Sequence, residues 1–282
     1  MSSPNPSYEY FLVTTPIPNV AHVQINRPQK MNSFHDAMWL ELKIVFDTLS
    51  ISQDVRAIVF SGAGDRAFTT GLDVQAASQE GVLKQQEGAA DVARLAVGIK
   101  RFVQEFQDCV SSIEKCEKPV ICVLHGYSFG LAIDLSTCAD IRICTSDVKL
   151  AVKEVDIGLA ADIGTLTRLP KIVGNFSWVK DVSLTARLFG AEEAYRVGFV
   201  SQVLENKDKA IEAALKMGEL LASKSPVAVQ STKELLNHAR DHTVASSLRY
   251  TGVWNSAAIQ TEDVQKAMLS GIKKTKPTYS KL

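Results

Sequence analysis

Three short apolar runs constrain the fold of this chain more than any other feature. Arg56–Ser61, Pro119–Leu124 and Ile141–Cys144 are too short for ordinary helices and are rich in Val, Ile and Cys. Such runs read as strands buried on both faces. Between them lie segments with apolar residues at helical spacing: 34–50, with Met38, Leu40, Leu42, Val45, Phe46 and Leu49, then a long helix over Ala89–Lys115, then Leu131–Ala139. Buried strands separated by helices require crossover connections, so the fold class is α/β. Residues 9–13 and 20–26 alternate apolar and polar around Pro16, Pro18 and Asn19, which predicts a hairpin. Leu150–Val152 and Val200–Leu204 are further short strands, and the polar stretch Gln75–Gly88, rich in Gln, Ala and Gly, reads as a mobile loop. Helices are expected over Ile163–Leu169, ended by Pro170, and over Ser177–Thr185 and Glu192–Val197. The chain then turns wholly helical, with Lys207–Ser223, Pro226–Arg240, Val244–Trp254 and Thr261–Ile272. The expected division is an α/β core over 1–205 and a helical C-terminal module over 206–282.

Composition removes several classes of function. Lys plus Arg and Asp plus Glu are 31 each among 282 residues, so no overall basic field draws the chain to nucleic acid or an anionic membrane. No run approaches the roughly 18 apolar residues of a membrane-spanning helix, and the N-terminus has no signal-peptide pattern. The five cysteines form no CxxC pair, and the five histidines have no ligand spacing beside them, so neither a metal site nor a disulfide framework is expected. The chain ends Ser280-Lys281-Leu282 after a basic, proline-containing stretch, the form of a tripeptide address read by the peroxisomal import receptor. The expected compartment is the peroxisomal matrix.

Three segments carry candidate chemistry. In Ala67–Val74, Gly71 can adopt backbone angles that aim the Leu72 amide outward. In His125–Asp134, a buried strand runs through two glycines into a helix start, whose unpaired amides at 130–132 suit a negative oxygen. In Lys153–Gly164, the acids Glu154 and Asp162 stand among small and apolar residues. Each acid also has an ordinary structural reading: Asp134 as a first-turn carboxylate, Glu154 as a surface acid paired with Lys153, Asp162 as the N-cap of the next helix.

Together with Ile25-Asn26-Arg27-Pro28 before Asn32, these segments resemble the crotonase (enoyl-CoA hydratase/isomerase) superfamily from about residue 9 to 272. The resemblance implies a spiral of ββα units with a helical C-terminal trimerisation module. It assigns an oxyanion hole to the backbone N–H groups of Leu72 and Leu131, although many members carry glycine at the second position. It places Arg27, Lys30, Phe68, Thr70, Gly71, Asp73 and Gly130 along the substrate and its CoA moiety. The partners implied are an acyl-CoA and further copies of the chain, as a homotrimer or a dimer of trimers. No cofactor is implied, since coenzyme A arrives as part of the substrate.

Hydratases of the superfamily carry two glutamates twenty residues apart. Here that spacing falls on Asp134 and Glu154, and the additional acid Asp162 has no hydratase counterpart. Asp134, Lys153-Glu154-Val155-Asp156, Asp162-Ile163-Gly164 and Thr167-Arg168-Leu169-Pro170-Lys171 resemble the Δ3,5-Δ2,4-dienoyl-CoA isomerase branch. That branch implies Glu154 as the base at C2, Asp162 as the proton donor at C6 and Asp134 as the group that tunes them. The neighbouring alternatives are a 2-enoyl-CoA hydratase and a Δ3-Δ2-enoyl-CoA isomerase; a member that only binds CoA or RNA is a further one. A Rossmann nucleotide site is disfavoured, because Gly126-Tyr-Ser-Phe-Gly130 lacks GxGxxG.

Overall fold

A computed structural model describes residues 7–76 and 91–282; most of the stretch expected as a polar loop over Gln75–Gly88 falls outside them. Two sheets organise the chain. The larger has the order β1-β2-β3-β5-β7-β10, formed by Phe11–Ile17, Val20–Ile25, Ala57–Gly62, Val120–Leu124, Ile141–Thr145 and Gln202–Leu204. The smaller has the order β4-β6-β8-β9, formed by Ala67–Thr69, Tyr127–Phe129, Lys149–Ala151 and Phe189–Gly190. Each central strand of the large sheet (β3, β5, β7) is followed within a few residues by a short strand of the small one (β4, β6, β8). A helix follows β6, α3 over Leu131–Cys138, and another, α2 over Val92–Lys115, precedes β5. This recurrence is the ββα spiral that the resemblance implies.

The large sheet is covered on both faces, and strand periodicity shows how. Ile58 and Phe60 of β3 point to the main core, against α1 (Asp36–Ile51) and α2, while Val59 between them points to the opposite face. There it meets Val20, Ile121, Val123 and Ile143 beneath α7 (Lys207–Ala222). The buried stripe Ala210, Ala214, Gly218 and Ala222 lets α7 lie close, and a Cβ at Gly218 would come within 2.8 Å of Val20 Cγ1. The first helix past residue 206 is therefore part of the core. On the main face, Trp39 of α1 stacks on Phe106 of α2 with centroids 4.0 Å apart.

The predicted hairpin is present as β1 and β2, antiparallel, with Pro16 inside β1 and Asn19 taking the left-handed turn (φ 64°). Strands β4 and β6 form inside the two glycine-containing segments and pair in parallel. Two readings are corrected. Pro170 does not end its helix: α4 runs Thr165–Ile172, and the proline in its last turn forfeits one hydrogen bond while Val173 N–H still reaches Leu169 C=O. Asp162 does not cap α4, which begins three residues later.

Four more helices complete the chain after α5 (Phe176–Thr185): α6 (Ala191–Arg196), then α8 (Pro226–Asp241), α9 (Val244–Ala258) and α10 (Glu262–Lys273) beyond α7. None of α9 is buried, and Val244, Leu248 and Val253 stand exposed on it. All five cysteines are buried and unbonded. Among the described residues no helix is long and apolar enough to cross a membrane, and no group of three or more metal-ligating side chains is assembled.

Candidate active site

The first amide-presenting segment is built by residues far from it in sequence. Buried Asn32, in the left-handed region (φ 57°), donates from Nδ2 to the carbonyls of Ala63 (3.0 Å) and Ala67 (2.9 Å) and accepts the Arg27 N–H (2.9 Å) on Oδ1. Phe34 then brackets the turn: its N–H donates to Gly71 C=O and its C=O accepts from Asp73 N–H, both at 2.8 Å. In this parallel bridge Leu72, lying between those two residues, directs its own N–H to the opposite side. Arg27 Nη1 locks the frame by donating to Asp73 Oδ2 (2.7 Å) and Ser33 C=O (2.9 Å).

The second segment is β6, Gly130 and the start of α3. Gly130 N–H donates to Ala151 C=O (3.0 Å), and its φ of 54° turns the chain into the helix. Leu131 is the first helical residue, so its N–H has no acceptor within the helix. The two segments meet at Gly71 (φ 90°): a Cβ there would lie 3.0 Å from Phe129 O and 3.5 Å from Leu131 N. A positive φ and that close approach both favour glycine at 71, and they set the turn carrying Leu72 against the Leu131 amide.

Of the three acids, Asp134 is buried beside this point and Glu154 half-buried. Asp134 is 2% exposed, and its Oδ1 accepts the Thr165 N–H at 2.6 Å. It thus caps α4, the role expected of Asp162. Burial pushes its carboxyl up to about 6, against the opposing pull of Thr165 and Arg168. Glu154 opens a short 3-10 turn, Glu154–Ile157, and its Oε1 lies 3.3 Å from where a Gly130 Cβ would stand. Its Oε2 is buried without a hydrogen-bond partner. Burial first, and the Asp134 charge second, raise this carboxyl to about 7. Lys153 does not pair with it: the ammonium goes to Asp156 (2.7 Å) and Ala186 C=O (3.1 Å). Asp162 is exposed, its backbone C=O accepts from Gln107 Nε2 (2.6 Å), and its charge adds to the upward push on both of the other acids.

The remaining expected contacts divide. The Phe68 ring is wholly buried edge-on to Phe60 (5.4 Å), so it packs the core and only its backbone belongs to the turn. Arg27 and Asp73 are spent on each other, framing the Leu72 donor. Thr70 is half-buried, with its N–H on Met31 C=O (3.2 Å), and Lys30 faces solvent at the end of the turn Pro28–Lys30. The sequence reading misses Thr165, the anchor of Asp134, and the bridging role of Asn32. No local signal marks the former, because the anchor is a backbone N–H that almost any residue would supply.

A carboxylate with a buried, unpartnered oxygen can remove a proton next to a carbonyl, and backbone donors beside it can hold the resulting enolate oxygen. The enoyl-CoA hydratase/isomerase family profile matches residues 17–281. The chain is similar to the mitochondrial Δ(3,5)-Δ(2,4)-dienoyl-CoA isomerase of Homo sapiens, 44% identical over 94% of this chain and 80% of the relative. It is also similar to the peroxisomal enzyme of that name from Arabidopsis thaliana, 36% identical over 94% of each. A crystal structure of an enoyl-CoA hydratase from Bacillus anthracis shares the fold, with a TM-score of 0.86, 24% identity and coverage of 96% of this chain and 99% of that one. The chain belongs to the enoyl-CoA hydratase/isomerase family, with the crotonase fold.

Proposed function

We propose that this chain isomerises 3,5-dienoyl-CoA thioesters to 2,4-dienoyl-CoA in fatty acid β-oxidation. The supporting observation is a third carboxylate, Asp162, close enough to Asp134 and Glu154 to act on both. A hydratase needs only two acids on one water, and a Δ3-Δ2 shift needs only one carboxylate moving a proton between near neighbours. Moving a proton from C2 to C6 needs two groups at separated ends of the diene. The relatives named for this reaction, at 44% and 36% identity, support the same reading.

In this mechanism Glu154 takes a C2 proton, and the electron pair of that C–H bond spreads over the thioester oxygen and along the chain to C6. The Leu72 and Leu131 amides hold the oxygen. Asp162 delivers a proton to C6, giving the conjugated diene. Glu154 is then protonated and Asp162 ionised, and solvent closes the cycle by taking the proton from Glu154 and returning one to the exposed Asp162. Coenzyme A is part of the substrate and no cofactor takes part. Lys30, facing solvent, is a candidate for its phosphates; Arg27 and Asp73 serve it by holding the turn.

The test is to incubate the purified protein with 3,5-dienoyl-CoA and follow the absorbance of the 2,4-diene. Asp162→Asn should lower its rate by about 10²–10⁴-fold. Undiminished diene formation in that variant, or turnover of 2-enoyl-CoA alone by the native chain, removes the reading.

The exposed apolar residues of α9 and α10, among them Val244, Leu248, Met268 and Ile272, support assembly into a homotrimer or a dimer of trimers. Light scattering should then give three or six chain masses, and a monomer at micromolar concentration would exclude it. Ser280-Lys281-Leu282 supports delivery by the peroxisomal import receptor. In the folded chain Tyr279 and Ser280 carbonyls accept from Arg56 (2.8 and 3.2 Å) and Lys281 pairs with Asp54. Retention of a reporter ending in these residues outside peroxisomes would remove this assignment.

A further inference from the structure

Arg168 belongs to the segment Thr167–Lys171 that the mechanism above leaves without a role. Its guanidinium is 12% exposed and is held from one side by α2: Nε and Nη2 donate to Glu114 Oε2 at 3.2 and 3.0 Å, and Nη2 to Ser111 Oγ at 2.9 Å. The other oxygen of Glu114 pairs with Arg240 of α8, which also reaches Asp241. On its other side the guanidinium presses on the turn that starts α4. A Cβ at Gly164 would collide with Arg168 Nη1, and the same Cβ would lie 3.8 Å from Asp134 Oδ1. Cation and carboxylate thus face each other across one glycine, directly before Thr165, whose N–H anchors Asp134.

We infer that Arg168 is a positioning residue for the proton transfer: clamped by Glu114, and through Glu114 by Arg240, it fixes the Gly164–Thr165 turn and supplies the positive charge opposite Asp134. This rests on Glu154 acting as the base. Asp134 is faced by Thr165 and Arg168 from α4, by Glu154 and Asp162 from the segment before it, and by Cys138 on its own helix, with Glu114 and Arg240 behind Arg168. Within that set Arg168 is the cation nearest Asp134. It keeps Asp134 ionised, and ionised Asp134 keeps Glu154 a strong base. The fixed partners of Arg168 reach α8, so the C-terminal helices bear on the charge balance of the site.

The direction of the effect follows from charge alone. Removing a cation favours the protonated form of nearby carboxylates, so their pKa values rise. The active form has Glu154 and Asp134 both ionised, and without the cation that doubly charged pair is reached only at higher pH, so the acid limb of the rate profile moves up. Arg168→Gln removes the charge while keeping a donor for Ser111 and most of the side-chain volume; Arg168→Lys keeps the charge. With circular dichroism confirming folding, kcat and KM of both variants are measured from pH 5 to 9. We expect the Gln variant to shift the acid limb upward by roughly half a pH unit or more, with KM little changed, and the Lys variant to keep the native limb. A Gln variant with the native limb, or an equal loss at every pH in both variants, overturns the inference and leaves Arg168 a structural ion-pair partner. The result is separable from the reading it rests on: if the native chain forms no diene but hydrates 2-enoyl-CoA, the isomerase reading fails, and the same limb comparison is made on hydration.

Discussion

Replacing Glu154 with Gln should lower kcat for diene formation by about 10²–10⁴-fold and, at pH 8 but not at pH 4, raise the stability of the folded chain. Both effects come from one carboxyl. Its environment is one that a protein avoids unless chemistry needs it: Oε2 is buried with no partner, and Asp134 stands close by as a like charge. Burial and that charge lift the group from the ordinary glutamate range to about 7. A base poised there is matched to neutral pH, being ionised often enough to act and basic enough to take a C2 proton. The cost appears in folding. A carboxyl whose folded pKa is raised contributes stability that is complete below its unfolded pKa and is lost as pH rises to the folded value. Here the loss runs from about pH 4.3 to about pH 7, at ~1.4 kcal/mol per unit. Because Glu154 is only half-buried, solvent screening reduces the full figure, leaving about 2 kcal/mol at pH 8. Glutamine cannot ionise, so the variant escapes that loss. Chemical denaturation of both proteins at pH 4 and pH 8 checks this. Equal gains at the two pH values would mean that charge is not the cause, and a near-native kcat would remove Glu154 as the base.

The parts of this molecule legible in its sequence are those fixed by local pattern. Strands β3 and β5 announce themselves because both faces are covered, by α1 and α2 on one side and α7 on the other, so every position is apolar or small. Strands β4, β6 and β9 do not: at two or three residues each, they exist through their neighbours in the small sheet. The acids show the same division. Asp134 is visible as a first-turn carboxylate, but its partner Thr165 lies 31 residues on and is brought to it by the packing of α4 on α3. That packing moves the capping role from Asp162, where sequence proximity puts it, to Asp134. Arg27 looks like a solvated cation or a phosphate ligand until the fold sets Asp73, 46 residues away, 2.7 Å from it. The burial of Glu154 was equally hidden, since a charged residue beside Lys153 reads as surface. In the sequence only the family resemblance joins the three acids; in the fold, the packing of α4 on α3 and the charge of Asp134 on Glu154 join two of them.

Leu131→Pro should separate the oxyanion hole from the fold that presents it, lowering kcat by about 10²–10³-fold, or roughly 3 kcal/mol of barrier. Proline removes one atom of interest, the amide hydrogen, and this position tolerates it. Leu131 is the first residue of α3, where the N–H is unused by the helix and proline's fixed φ suits the first turn. A residue before proline is pushed from the helical region into extended geometry. Gly130, at φ 54° and ψ −113°, already occupies the mirror image of an extended conformation, open to glycine alone. The helix should therefore form, and Asp134 should still reach Thr165. What changes is the place beside Gly71, where a ring carbon replaces a donor 3.5 Å from the position a Gly71 Cβ would take. The control is Leu131→Ala. Leu131 is 5% exposed, so truncation costs about 2–5 kcal/mol of stability, but the amide remains and kcat should stay within about tenfold of native, since one decade of rate is only 1.4 kcal/mol of barrier. Both variants lose the buried leucine side chain and some stability, but only proline also loses the amide, so only proline should lose the rate. If both lose rate in proportion to stability, the Leu131 amide is not a donor to the enolate, and the role passes to a neighbouring amide at Gly130 or Ala132. Gly130 is the weaker of these, because its N–H is already given to Ala151.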